Sequence, residues 1–198
     1  MTTDNGPKEE HHPMEPTFVA KVGQPAPHFD MRTTRNLETL EERAHLSDYR
    51  GQWLILFFYP ADFTFVCPTE IRGFRDHYEQ FRSLRADILG VSTDSVYSHR
   101  AWIETPPEKN GLGPIPFPLA SDITKEVSRR YGVLDEEEGM ALRGLFIIDP
   151  EGVLRYEVVH DMDVGRSVNE TLRVLQALQS GGLCPVEWQP GQATLQPA

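Results

Sequence analysis

The segment Trp53-Leu-Ile-Leu-Phe-Phe-Tyr59, closed by Pro60, constrains this chain more than any other. An unbroken apolar and aromatic run without alternation predicts a strand buried on both faces, the kind found in sheets covered by helices on either side. Further on stands Cys67, followed at once by Pro68, a residue favoured in the first turn of a helix. A helix is expected from Pro68 to about Arg85, because Ile71, Phe74, Tyr78 and Phe81 fall three or four residues apart and form one apolar stripe. The thiol is thereby set between the end of a core strand and a helix N-terminus. Unpaired N–H groups and the positive end of the helix dipole meet there, and both favour thiolate over thiol. A lone cysteine beside an apolar run is also commonly a small buried hydrophobe. On these residues alone, both readings stand.

Strands and helices alternate after this point. Asp87–Ser92 reads as a second buried strand and Ser95–Glu104 as a short helix. Residues 105–118, with five prolines, read as a loop, and Ile123–Tyr131 as a helix closed by Gly132. Leu142–Ile148 and Val153–His160 flank Asp149-Pro-Glu-Gly152, whose residues suit a type I turn, so a hairpin is expected. Ser167-Val-Asn-Glu170 is a capping box opening a helix whose apolar face is Val168, Leu172, Leu175 and Leu178. The order implies an α/β fold: a central mixed sheet flanked by helices, with a closing hairpin and a C-terminal helix plus tail, thioredoxin-like in outline. The expected division is a disordered tail over 1–16, a folded domain over 17–180 and a C-terminal tail over 181–198.

Composition excludes several classes. A net charge of −11 argues against nucleic acid and anionic membranes. No apolar run reaches the roughly 20 residues of a membrane span. The first residues lack a charged-then-apolar signal pattern, so a cytoplasmic location is expected. Two cysteines are too few for a disulfide scaffold, and without Cys-x-x-Cys or paired Cys/His spacing no metal site is expected. His11-His12 read as part of a solvated tail. No phosphate loop or dinucleotide fingerprint is present, so no cofactor is expected.

Pro60-x-x-x-Thr64-x-x-Cys67 with Pro68-Thr-Glu70 behind it resembles the active-site motif of the peroxiredoxins. The likeness continues through Gly90-Val-Ser-Thr-Asp-Ser95, Ser98-His-Arg-Ala-Trp102, Pro118-Leu-Ala-Ser-Asp122, Arg143-Gly-Leu-Phe-Ile-Ile-Asp149 and Val164-Gly-Arg166-Ser-Val168. It ends with Cys184-Pro-Val-Glu-Trp188 and Gly191-Gln-Ala-Thr-Leu195, spanning about residues 18–195. The chain is most similar to the typical two-cysteine group, which includes the peroxide-reducing component of bacterial alkyl hydroperoxide reductase.

That resemblance implies a thiol peroxidase for hydrogen peroxide and organic hydroperoxides. Cys67 is then the peroxidatic nucleophile, oxidised to a sulfenic acid. Cys184 is the resolving cysteine, bridging to Cys67 of the partner in an antiparallel homodimer. Thr64 hydrogen-bonds thiolate and peroxide, Arg143 supplies a fixed positive charge, and Pro60 shapes and dries the pocket. Glu70 anchors Arg143, while Trp102 and Arg166 support the site. Each residue also has a plainer reading: Thr64 as a turn or cap residue, Pro60 as a strand terminator, Arg143 as a solvated strand end, Glu70 as a first-turn acid, Trp102 as core, Cys184 as an incidental thiol. His77 and His160 read as structural. The resemblance further implies thioredoxin or a flavoprotein disulfide reductase as electron donor, and a ring of five dimers as an available assembly. Relatives that inactivate easily carry Gly-Gly-Leu-Gly and a terminal Tyr-Phe. Asn110-Gly-Leu-Gly113 and the lack of Tyr-Phe here imply fast disulfide formation and resistance to overoxidation. His160-Asp-Met-Asp163 is more acidic than in many relatives, with no reason evident. Two readings from other classes are a ring-forming holdase chaperone and a thioredoxin-fold disulfide reductase.

Overall fold

The computed structural model describes residues 19–197; the tail expected over 1–16, with His11-His12, lies outside them. The strands are β1 (Asp30–Thr33), β2 (Arg43–His45), β3 (Trp53–Phe58), β4 (Ala86–Ser92), β5 (Leu119–Ser121), β6 (Leu134–Asp135), β7 (Met140–Ala141), β8 (Arg143–Ile148) and β9 (Leu154–His160). The helices are α1 (Cys67–Asp76), α2 (Tyr78–Ser83), α3 (Val96–Glu104), α4 (Glu126–Arg130) and α5 (Val168–Ser180). Seven strands form one mixed sheet in the order β2-β1-β5-β4-β3-β8-β9, and β6-β7 form a small ribbon. β3 pairs in parallel with β4, and β4 with β5; the other neighbours are antiparallel.

The unbroken apolar run of β3 has a simple cause. Leu54, Leu56 and Phe58 point into one core with Val91, Phe146 and Ile148. Ile55, Phe57 and Tyr59 point into the other with Cys67, Ile71, Phe74, Trp102 and Leu175. Strand periodicity sends alternate side chains to opposite faces, and here both faces are dry. The second core carries α1, α2, α3 and α5, so the thiol faces this layer. Among the described residues, no helix is long and apolar enough to cross a membrane.

The expected single helix over Pro68–Arg85 is two helices. They meet at His77, whose backbone (φ −107°, ψ 7°) leaves the helical region and whose Nδ1 lies 2.8 Å from the Gly73 carbonyl. The apolar stripe continues across the break, which is why periodicity alone does not reveal it. The helix expected over Ile123–Tyr131 is shorter: Lys125 is left-handed (φ 61°), and the buried Asp122 carboxylate accepts from Val127 N and Ser128 N to start the turn. The hairpin is present. Asp149 Oδ1 accepts from Glu151 N and Val153 N, and Gly152 (φ 77°) completes the reversal. Only half of the capping box forms. Ser167 Oγ accepts from Glu170 N at 3.1 Å, while the Glu170 carboxylate is taken by Arg173 at 2.7 Å.

Candidate active site

Cys67 is the first residue of α1 and is wholly buried. Pro68 follows in the first turn, where its missing N–H costs nothing. No side chain caps this end; Thr69 N and Glu70 N both donate to the Val66 carbonyl, which leaves the Cys67 N–H as the leading donor without a partner among the described residues.

Arg143 opens β8 and is 3% exposed, which excludes a solvated strand-end role. Its Nη1 donates to Cys67 Sγ at 3.4 Å and to Glu70 Oε2 at 2.6 Å, and its Nε donates to the Met162 carbonyl at 2.6 Å. Arg166 reaches the same carboxylate: its backbone N and Nε donate to Glu70 Oε1 at 2.7 and 2.8 Å, and Nη2 to Oε2 at 3.0 Å. Its Nη1 donates to the Gly144 carbonyl at 2.5 Å, and its guanidinium lies 5.5 Å from the centre of the Phe57 ring. Burial alone would push the Glu70 carboxyl up. The hydrogen bonds and charge of Arg166, then the charge of Arg143, outweigh it and hold the carboxyl below its ordinary range. Two buried guanidinium groups therefore share one carboxylate, leaving a positive charge beside the sulfur.

Thr64 sits in the loop before α1, and among the described residues its hydroxyl donates to the Ala61 carbonyl at 2.9 Å rather than to the sulfur. Pro60 is buried where β3 ends. Trp102 is buried in the same apolar cluster as Cys67, packs against Tyr59 and Phe63, and donates Nε1–H to the Asn110 carbonyl at 2.9 Å. Its direct role is to tie α3 to the 105–113 loop. His77 stands at the α1/α2 break, and His160 Nδ1 lies 3.3 Å from the Val164 carbonyl.

Cys67 and Cys184 are both free thiols. Cys184 follows α5, with Sγ 3.4 Å from Ser180 Oγ and 3.7 Å from the Ala177 carbonyl. The segment after it is folded, not extended: Leu195 N donates to the Leu183 carbonyl, Trp188 is buried, and Arg173 Nη1 donates to the Trp188 carbonyl at 3.0 Å.

The sequence alone does not single out a second buried polar cluster at the end of β3. Tyr59 OH donates to Asp62 Oδ1 at 2.9 Å, His99 Nδ1 lies 2.8 Å from Asp62 Oδ2, and His99 Nε2 faces the Ala120 carbonyl at 3.2 Å. Asp62 N donates to Asp94 Oδ2 at 3.0 Å. Burial, then the charges of Asp62 and Asp94, keeps Tyr59 protonated well above its ordinary range. One signal for this cluster is present in the sequence, since His99 lies on the apolar side of a helix, but its partners come from three other segments.

This sheet, with a buried thiol at a helix start under a fixed cation, defines the class of thioredoxin-like thiol enzymes. The AhpC/TSA family pattern matches residues 22–157. The chain is 53% identical over 182 residues to rat peroxiredoxin-2, covering 90% of this chain and 91% of that one. The reduced 2-Cys peroxiredoxin of Plasmodium vivax superposes with a TM-score of 0.85 at 37% identity, over 92% of this chain and 95% of that one. AhpC of Enterococcus faecalis does so at 0.76 and 36%, over 84% and 100%. The chain belongs to the AhpC/TSA family and is a typical two-cysteine peroxiredoxin, a thiol-dependent peroxidase. This kinship does not favour the chaperone and disulfide-reductase readings.

Proposed function

We propose that the peroxidase reaction of this chain runs through Cys67, with Arg143 and Thr64 as its catalytic partners and Glu70 and Arg166 as positioning residues. One observation carries the reading: Glu70, Arg143 and Arg166 together hold one unbalanced positive charge in a buried site, 3.4 Å from Sγ at its nearest hydrogen bond. A buried net charge is costly, and a thiolate at Cys67 would neutralise it. The thiolate attacks one peroxide oxygen in line; the O–O bond breaks, sulfur keeps that oxygen as sulfenic acid, and the alkoxide or hydroxide leaves and is protonated. Charge develops on both oxygens, where the Arg143 guanidinium can donate, as can the Thr64 hydroxyl once it turns away from the Ala61 carbonyl. Pro60 keeps water from this pocket. Trp102 supports it by fixing the neighbouring loop.

The sulfenic acid then condenses with Cys184 of a second copy, releasing water and forming a disulfide. Support for a dimer comes from β9, an edge strand whose outer side is met by Gly23 and Gln24 at Leu154 but, among the described residues, has no strand partner beyond it, and whose Val159 is 45% exposed. Pairing of two such edges would give the antiparallel homodimer, and a ring of five dimers is the further assembly. Cys67 must leave its first helical turn to meet a partner thiol, and opening of a helix end is cheap relative to global unfolding. Thioredoxin or a flavoprotein disulfide reductase returns the disulfide to thiols. Two free thiols suit a reducing, cytoplasmic setting.

The test is peroxide consumption by pre-reduced protein. Wild type should consume one equivalent of hydrogen peroxide or cumene hydroperoxide within seconds. Cys67→Ser should consume none, and a Cys67→Ser protein as fast as wild type would reject the reading.

A further inference from the structure

The loop between β3 and α1 is fixed by residues outside the reacting group, and Asn110 stands out among them. Phe63 in that loop is left-handed (φ 56°), a conformation disfavoured for a bulky side chain. Such a backbone persists only where its surroundings fix it. Asp62 is fixed from behind by Tyr59 and His99, and its N–H by Asp94. The carbonyl of Phe63 accepts from Asn110 Nδ2 at 3.1 Å. Asn110 is itself anchored: its carbonyl takes the Trp102 indole N–H at 2.9 Å, and its N–H donates to the Pro107 carbonyl. Gly111 behind it leaves no slack, since a Cβ there would lie 1.8 Å from the Thr105 carbonyl oxygen. The very next residue of the pinned loop is Thr64, and three further on is Cys67.

We propose that Asn110 is a positioning residue: its side-chain amide, through the Phe63 carbonyl, holds the Ala61–Val66 loop in the conformation that presents Thr64 and encloses Cys67. The inference rests on the peroxidase reading for its meaning, but not for its test. Asn110 is itself left-handed (φ 62°), so Asn110→Gly suits the backbone and keeps the main-chain hydrogen bonds while deleting the amide. Asn110→Asp keeps the shape and tolerance of this conformation but cannot donate to a carbonyl.

Both variants are made in a Cys184→Ser background, leaving Cys67 as the one thiol. Two rates are measured on reduced protein: oxidation of Cys67 by hydrogen peroxide, and its alkylation by neutral iodoacetamide. Losing one modest hydrogen bond should slow oxidation about threefold and, by opening the loop over a wholly buried sulfur, speed alkylation about threefold. The opposed directions are the signature of positioning; a residue serving only through its left-handed backbone, which glycine also adopts, would leave both rates of Asn110→Gly unchanged. Unchanged rates, rates moving in the same direction, or wild-type behaviour of Asn110→Asp would overturn the proposal. Wild-type protein inert to peroxide would reject the peroxidase reading instead, and the alkylation rates would still decide the role of Asn110.

Discussion

Replacing Arg143 by lysine separates charge from geometry. The arginine meets the Met162 carbonyl with Nε at 2.6 Å, while Nη1 meets both the Glu70 carboxylate at 2.6 Å and Cys67 Sγ at 3.4 Å. Lysine keeps the charge but presents a single ammonium on a flexible stem, and cannot fork between a carbonyl on one side and a carboxylate and sulfur on the other. Glu70 is the stronger acceptor and would capture the ammonium, leaving the sulfur without its donor. Arg143 is only 3% exposed, so solvent does little to replace the lost bond. A hydrogen bond to a charged group is worth about 1.5–3 kcal/mol. At 1.36 kcal/mol per decade, this corresponds to a loss of about tenfold to 150-fold in rate. The assay is stopped-flow oxidation of pre-reduced Arg143→Lys by hydrogen peroxide, with urea unfolding as a check that the fold is retained. A rate within threefold of wild type in a stably folded variant would refute the argument that geometry, beyond charge, serves the sulfur.

Three further outcomes follow from the same structure. The Glu70 carboxyl is held below its ordinary range in the folded chain, so its contribution to stability is present above the unfolded value near 4.5 and fades as pH falls through the lower folded value; Glu70→Gln should flatten that part of the acid limb in pH-dependent urea unfolding, and a limb identical to wild type would contradict the assignment. Burial raises Tyr49 to about 12, so the stability of its neutral form is present below pH 10 and lost as pH rises from there towards 12, which alkaline unfolding of wild type against Tyr49→Phe will read. A Cβ at Gly90 would lie 2.8 Å from both Leu119 Cδ2 and Phe57 Cζ, so Gly90→Ala should cost about 1–3 kcal/mol by urea unfolding, and an unchanged midpoint would show that the core relaxes freely there.

The parts legible in the sequence are those written in local pattern. The run from Trp53 and the stripe Ile71, Phe74 and Phe81 declare a doubly buried strand and the helical segments after it, since each depends on neighbours within a few residues. β1, β2 and β5 are not legible, because each has only three or four residues and their pairing is decided by distant partners, such as Arg32 opposite Ser121. The site divides in the same way. The spacing of Thr64, Cys67 and Glu70 is local and marks one helix start. The Tyr59–Asp62–His99 cluster needs β3, α3 and β5 to be brought together, so each of its members reads singly as ordinary. The segment after Cys184 reads as a mobile tail on its prolines and polar residues. Trp188, buried and bonded through Nε1–H to the Gln192 carbonyl at 3.0 Å, is the residue that points to a folded one.

The two-cysteine mechanism is tested most directly by treating pre-reduced protein with one equivalent of hydrogen peroxide and running it on a non-reducing denaturing gel, beside Cys67→Ser and Cys184→Ser. A covalent dimer formed within seconds by wild type and by neither variant is the predicted result. A wild-type chain that consumes the peroxide yet stays monomeric on the gel would contradict the bridge between Cys67 and the partner's Cys184.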